Sequence, residues 1–156
     1  MSIEKATAYL QRFGVSEKIM EFDVSSATVE LAAQALGCDG SRIAKTLSFA
    51  VGEKAILIVT AGDTRIDNHK YKALFGTKPK MLAPEQVEEM IGHSIGGVCP
   101  FGILEGVAIY LDVSMKRFET VFPACGSSNS AIELTIPELE LLCGYPRWVD
   151  VCKNWN

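Results

Sequence analysis

Lys45 stands where the pattern of its neighbours asks for an apolar side chain. It lies in the segment Arg42-Ile43-Ala44-Lys45-Thr46-Leu47-Ser48-Phe49-Ala50-Val51. At a strand's period of two, one row is Ile43, Lys45, Leu47, Phe49 and Val51. The other is Arg42, Ala44, Thr46, Ser48 and Ala50. The larger side chains of the first row predict that it faces the core, with an ammonium among them. An unpaired charge is costly to bury, so this lysine must be paired, neutralised or turned towards a cleft.

Three further places carry groups that can do chemistry. Gly96 and Gly97 open the run Gly96-Gly97-Val98-Cys99-Pro100-Phe101-Gly102. Paired glycines in a strand-like stretch mark a bulge, a tight turn or a close backbone approach, where bare N–H groups can reach a ligand carbonyl. Cys99 is a nucleophile only with a base in reach and a lowered thiol pKa; otherwise it is a pocket or core thiol. The small polar loop Cys125-Gly126-Ser127-Ser128-Asn129-Ser130 can orient a ligand or simply turn a hairpin. Asp112 ends an apolar strand and can pair with Lys45 or hold a ligand group. His69 and His93 are expected at surface helix or turn positions rather than on a metal.

These groups need elements to position them. Ser2 is expected to cap a helix through Ile3, Ala6, Tyr9, Leu10 and Phe13 that ends at Gly14. A short strand is expected at 18–22, then a helix over 28–36 stopped by Gly37. The Lys45 strand turns at Gly52-Glu53 into Ala55-Ile56-Leu57-Ile58-Val59, which predicts a central antiparallel hairpin. Asp67 caps a helix ended by Gly76, and Pro84 opens another to Ile91. Further strands are expected at 94–98, 107–111, 120–122 and 131–134, with a last helix from Pro137 to Gly144. The fold class read from this mixture is α+β, a mixed, largely antiparallel sheet with helices packed around it.

The 156 residues predict one domain over 1–156, with 48% hydrophobic and 22% charged residues in the ordinary range for a soluble protein. No apolar run approaches the roughly 20 residues that span a bilayer, and the N-terminus lacks the pattern of a secretory signal, so the expected compartment is cytoplasmic, without membrane partners. Five cysteines, an odd number at wide spacing, predict buried thiols rather than disulfides or a zinc site. A net charge of −4 argues against indiscriminate nucleic-acid binding but leaves room for a local basic face. Arg65, Lys70, Lys72, Lys78 and Lys80 cluster in one stretch and can bind phosphates or form a solvated face.

With Ile43-Ala44-Lys45-Thr46-Leu47 and the Gly96-Gly97 run in the stated order, nearly the whole chain resembles the YbaK and prolyl-tRNA synthetase-associated domain family of aminoacyl-tRNA deacylases. Such proteins hydrolyse the ester joining a wrong amino acid to tRNA. The resemblance implies that Lys45 is the essential residue and that Gly96 and Gly97 put donors at the scissile carbonyl. It further implies that Cys99, Phe101, Thr60, Asp112 and Asn129 border the substrate. Water would attack, helped by the substrate's own 2′-hydroxyl, with no cofactor or metal. Arg65, Lys70, Lys72, Lys78 and Lys80 would lie along the tRNA, and the free-standing size implies editing in trans, with an aminoacyl-tRNA as partner and a synthetase as the candidate second one. Two features depart from the family. The 125–130 loop lacks the histidine of alanine-clearing members and the Gly-Lys-Arg-Gly-like segment of cysteine-clearing members. The expected substrate is therefore a small residue such as cysteine, alanine, serine or threonine. A catalytically silent module binding tRNA, a nucleotide or a synthetase is the alternative, and a thiol hydrolase using Cys99 a third.

Overall fold

The computed structural model describes residues 2–155, the Ser2 side chain excepted, so the cap expected at Ser2 lies outside the described residues. Capping chemistry sets the helices. α1 (Ser2–Gln11) leads into a short 3-10 turn and the strand β1 (Met20–Glu21). In α2 (Val29–Leu36), the Thr28 hydroxyl accepts the Leu31 N–H, and Gly37 closes the helix in the left-handed region at φ 67°. After the strands β2 (Ile43–Val51), β3 (Lys54–Ala61) and β4 (Arg65–Ile66), Asp67 caps α3 (Asn68–Phe75) by accepting the His69 and Lys70 N–H groups. Pro84 occupies the first turn of α4 (Pro84–Ile91). Then come β5 (Ala108–Asp112), β6 (Thr120–Pro123), β7 (Ser130–Ala131) and β8 (Leu134–Thr135). Reciprocal bonds between Thr135 and Glu138 start α5 (Ile136–Leu142), and β9 (Arg147–Val149) and β10 (Cys152–Lys153) finish the chain. No helix among the described residues is long and apolar enough to cross a membrane.

Six strands form one sheet in the order β8-β6-β2-β3-β5-β9, and two small ribbons, β1 with β7 and β4 with β10, flank it. The expected hairpin is its centre: β2 and β3 pair antiparallel from Val51↔Lys54 to Ala44↔Ala61. β6 adds to β2 in parallel, and β5 and β9 add in parallel beyond β3. The long central ladder and the ribbons make the pairing mixed and largely antiparallel.

Both faces of this sheet are covered, which revises the one-sided reading of β2. Leu47, Phe49 and Val51 pack with Ile58, Tyr71 and Val149 beneath α3, while Ile43 joins Ala32 of α2. On the opposite face Ala44 enters the main cluster with Leu10, Phe101 and Leu139, and Ala50 packs near Val87 of α4. Lys45 therefore sits on one covered face, between two apolar clusters.

Several expected strands differ. The segment expected as a strand at 18–22 pairs only at Met20 and Glu21. Residues 94–98 are not a strand, because the Gly97 N–H bonds back to the Ser94 carbonyl at 3.0 Å and Gly96 takes φ 91°. The strand expected at 131–134 divides between β7 and β8, which belong to different sheets. β4, β9 and β10 were not expected at all; each is too short to show a period in sequence.

Candidate active site

The site begins with an unfilled stretch of sheet edge. Hydrogen bonds from the Ala50 N–H to the Lys80 carbonyl and from the Leu82 N–H to the Ser48 carbonyl show which backbone groups of β2 point away from β3. Alternation gives Thr46 the same direction. The β6 ladder stops at Ala44, and residues 80–82 cover the edge only from Ser48 onwards. The backbone N–H and C=O of Thr46 thus face a gap.

That gap is the floor of a cavity of about 320 Å³. Its walls come from Thr28 and Val29 at the start of α2, Met81 and Leu82, Ile95 and Gly96 of the 94–97 turn, and Ser130 and Ala131 of β7. Lys45 and Thr46 both border it, and the Thr46 hydroxyl is buried with no hydrogen-bond partner. The walls are tied together. Phe22 N–H donates to the Asn129 carbonyl at 2.8 Å, and the Asn129 amide returns to the Phe22 carbonyl at 2.9 Å.

The Lys45 side chain is half-buried, and its ammonium donates to the Thr64 carbonyl. Burial lowers its pKa below the ordinary lysine value; the Arg65 guanidinium adds to this, and Cys152, Asp63 and Glu30 oppose it. Of the three expectations for this lysine, the structure gives a cleft-edge ammonium held by a backbone carbonyl. The pairing offered for Asp112 does not occur. That carboxylate is fully buried and accepts the Ser114 and Val151 N–H groups, each at 2.9 Å, so it braces the end of β5 against the C-terminal segment.

Gly96 lines the cavity; Gly97 does not. A Cβ at Gly97 would lie 2.7 Å from the carbonyl of Gly126, and its N–H is committed to Ser94. The donor role expected of Gly97 gives way to a packing role: it lets the 94–97 turn sit directly on the 126–127 backbone. Cys99 and Phe101 are fully buried in the main cluster, and Thr60 is buried opposite Lys45 in the hairpin; none of them borders the cavity. Asn129 also stands outside the lining and binds the loop to residue 22.

His93 departs from its expected surface position. It is fully buried, with Nε2 2.6 Å from the Phe101 carbonyl and 3.5 Å from the Cys99 sulfur. Burial pushes the Cys99 thiol up to about 12, which leaves it uncharged at neutral pH and far from a thiolate nucleophile. His69 is exposed in the first turn of α3, as expected. Of the basic cluster, Arg65, Lys72, Lys78 and Lys80 are exposed, whereas Lys70 is held by Asp150 at 3.0 Å and the Cys152 carbonyl at 3.0 Å. Among the cavity residues that sequence reading did not reach are Thr46, Thr28, Met81, Ile95 and Ala131, whereas Ser130 belongs to the small polar loop expected to orient a ligand or turn a hairpin. Only the position of Thr46 beside Lys45 offered any signal for the others.

Chemically, the cavity offers a fixed ammonium, one strand's free N–H and C=O, an unpartnered hydroxyl and apolar walls. Such a set can orient a small polar acyl group and stabilise negative charge on its carbonyl oxygen.

The family model of the aminoacyl-tRNA editing domain matches residues 24–142. The Bacillus subtilis (strain 168) protein YwhH, described as uncharacterized, is 53% identical over 157 residues spanning 100% of both chains. The proline–tRNA ligase of Shouchella clausii (strain KSM-K16) is 30% identical over 122 residues, 78% of this chain but 21% of the ligase. A crystal structure described as that of a candidate trans-editing enzyme for prolyl tRNA synthetase superposes with a TM-score of 0.88 at 30% identity, over 98% of each chain.

Proposed function

The chain belongs to the aminoacyl-tRNA editing domain family, and on that premise we propose that it hydrolyses the ester joining a small amino acid to a mischarged tRNA, in trans and as one domain over residues 1–156. The observation that carries this reading is the half-buried Lys45 ammonium at the border of the cavity on the open β2 edge. A volume of about 320 Å³ lies at the small end for ligand pockets, which favours a short side chain such as that of cysteine, alanine, serine or threonine.

In the proposed reaction, water attacks the acyl carbon, the bond to the ribose oxygen breaks, and a proton passes to the leaving hydroxyl. The products are a free amino acid and an intact tRNA end. Lys45 donates one hydrogen to Thr64, and an ammonium carries three. The others can stabilise charge developing on the ester or the leaving oxygen. The Thr46 N–H and C=O would hold the amino acid by its carbonyl and amino groups. The substrate's 2′-hydroxyl would assist the water, as the family resemblance implies. Gly96 would keep the cavity mouth clear of a side chain.

The relatives that name prolyl-tRNA synthetase support tRNA for proline as the first carrier to test, with a synthetase as a possible companion. The test is release of labelled amino acid from cysteinyl-, alanyl-, seryl- and threonyl-tRNAs on matched and mismatched carriers, with wild type beside Lys45→Ala. The expected result is release from at least one mischarged tRNA that a folded Lys45→Ala protein lacks. Release unaffected by the substitution would overturn the role of Lys45. No release with tRNA binding intact would favour the silent binding module.

A further inference from the structure

The β4–β10 ribbon brings together two cations that lie far apart in sequence. Arg65 and Lys153 are direct cross-strand partners, so their side chains project from the same face of the ribbon. Both are exposed. Like charges placed directly opposite one another destabilise a ribbon, and this one pairs at only two positions, Cys152↔Ile66 and Lys153↔Arg65. No ion pair ties either side chain among the described residues.

Of the acidic groups around the pair, Asp63 is clasped by Arg117 at 2.6 and 3.0 Å and Asp150 holds Lys70, while Asp67 caps α3 through one carboxylate oxygen and also feels the charge of Lys153. Lys45 completes the arrangement, since its ammonium rests on the carbonyl of Thr64, the residue before Arg65. Three cationic side chains thus run from the cavity onto the ribbon, and Arg65 acts electrostatically on Lys45. Lys70, though close in sequence, is spent on the C-terminal segment.

We propose that Arg65 and Lys153 form a phosphodiester clamp that continues the Lys45 cavity and seats the sugar-phosphate backbone of a tRNA's single-stranded 3′ end. An arginine fork and a neighbouring ammonium suit the two free oxygens of one phosphodiester, or two successive phosphates. The identity of the polyanion rests on the editing reading, whereas the pairing of the two cations does not. Lys153 was beyond sequence analysis because 88 positions separate it from Arg65, and only the ribbon joins them.

Binding of uncharged tRNA for proline, measured by fluorescence anisotropy between 50 and 200 mM salt, tests the clamp without any catalytic step. Each contact to single-stranded phosphate contributes about 0.7 to the slope of log affinity against log salt. Arg65→Gln and Lys153→Gln should each flatten the slope by about that amount, and the double variant should bind roughly tenfold more weakly at the lower salt. Lys70→Gln should leave the slope where it is. Lys153→Arg, which keeps the charge, should bind like wild type. The clamp is overturned by a double variant with the wild-type slope. It is also overturned by an equal loss from Lys70→Gln, or by an equal loss on tRNA trimmed of its three terminal nucleotides. A wild-type protein that shows these slopes and releases no amino acid would keep the clamp and discard the editing reading.

Discussion

Gly97→Ala separates two roles that a glycine beside a cleft can play. A glycine facing an ester would, on gaining a methyl, block substrate while leaving the fold unharmed. The structure instead puts the new Cβ 2.7 Å from both the carbonyl carbon and oxygen of Gly126, and 2.8 Å from the Ser127 nitrogen. Backbone atoms cannot swing aside as a side-chain tip can, so the 94–97 turn and the 126–127 loop must part. Overpacking of this kind costs typically about 1–3 kcal/mol. For a chain of this length each kcal/mol lowers Tm by roughly 2–4 °C, so a cost of about 2 kcal/mol should appear as a fall of about 4–8 °C. Differential scanning calorimetry of wild type and Gly97→Ala reads this directly. Activity should fall as well, because the displaced loop carries Asn129 and leads into Ser130 at the cavity wall. A Gly97→Ala protein that melts with wild type but has lost deacylation would refute the packing role and return Gly97 to the ester.

Two further outcomes follow from titration. Burial lowers the folded pKa of Lys45 below 10.5, so the folded protein releases this proton at a pH where the unfolded chain still holds it. Deacylation that needs the ammonium should therefore decline before pH 10.5, once spontaneous ester hydrolysis is subtracted, and a rate that holds constant to that pH would contradict the assignment. Over the same window, from the folded pKa up to 10.5, this residue's contribution to stability should rise with pH, and Lys45→Met should lack that rise in chemical denaturation series. Cys99→Ala should retain deacylation within about threefold, and Cys99 in the wild type should resist alkylation, since a thiol at about 12 is neither charged nor exposed. Loss of activity in a folded Cys99→Ala protein would revive the thiol hydrolase.

What sequence could reach was set by how local each signal is. Asp67 with Gly76, Gly37, and Pro84 act within one helix, and each marked its helix end as expected; Thr28, expected as the first helical residue, is instead the cap. The hairpin also announced itself, because two long apolar strands meet at a two-residue turn. Lys45 was conspicuous for the same reason: a charge interrupts a period. Asp112 misled because a carboxylate at a strand end reads alike whether it meets an ammonium or, as here, two backbone N–H groups, one of them from Val151. His93 misled because nothing nearby reveals that Phe101 folds back over it. Thr46 was passed over for a geometric reason, since which strand edge stays open depends on where β6 stops and where residues 80–82 begin.

The unfilled edge of β2 bears on solubility. A bare strand edge invites another chain to add on and spread into aggregates. Here β6 guards one side of the opening at Ala44 and the 80–82 segment guards the other from Ser48. The bare interval is about one residue's worth of donor and acceptor, too short to recruit a neighbouring strand. The protein can thus keep an open sheet edge inside a cleft without offering a template for self-association.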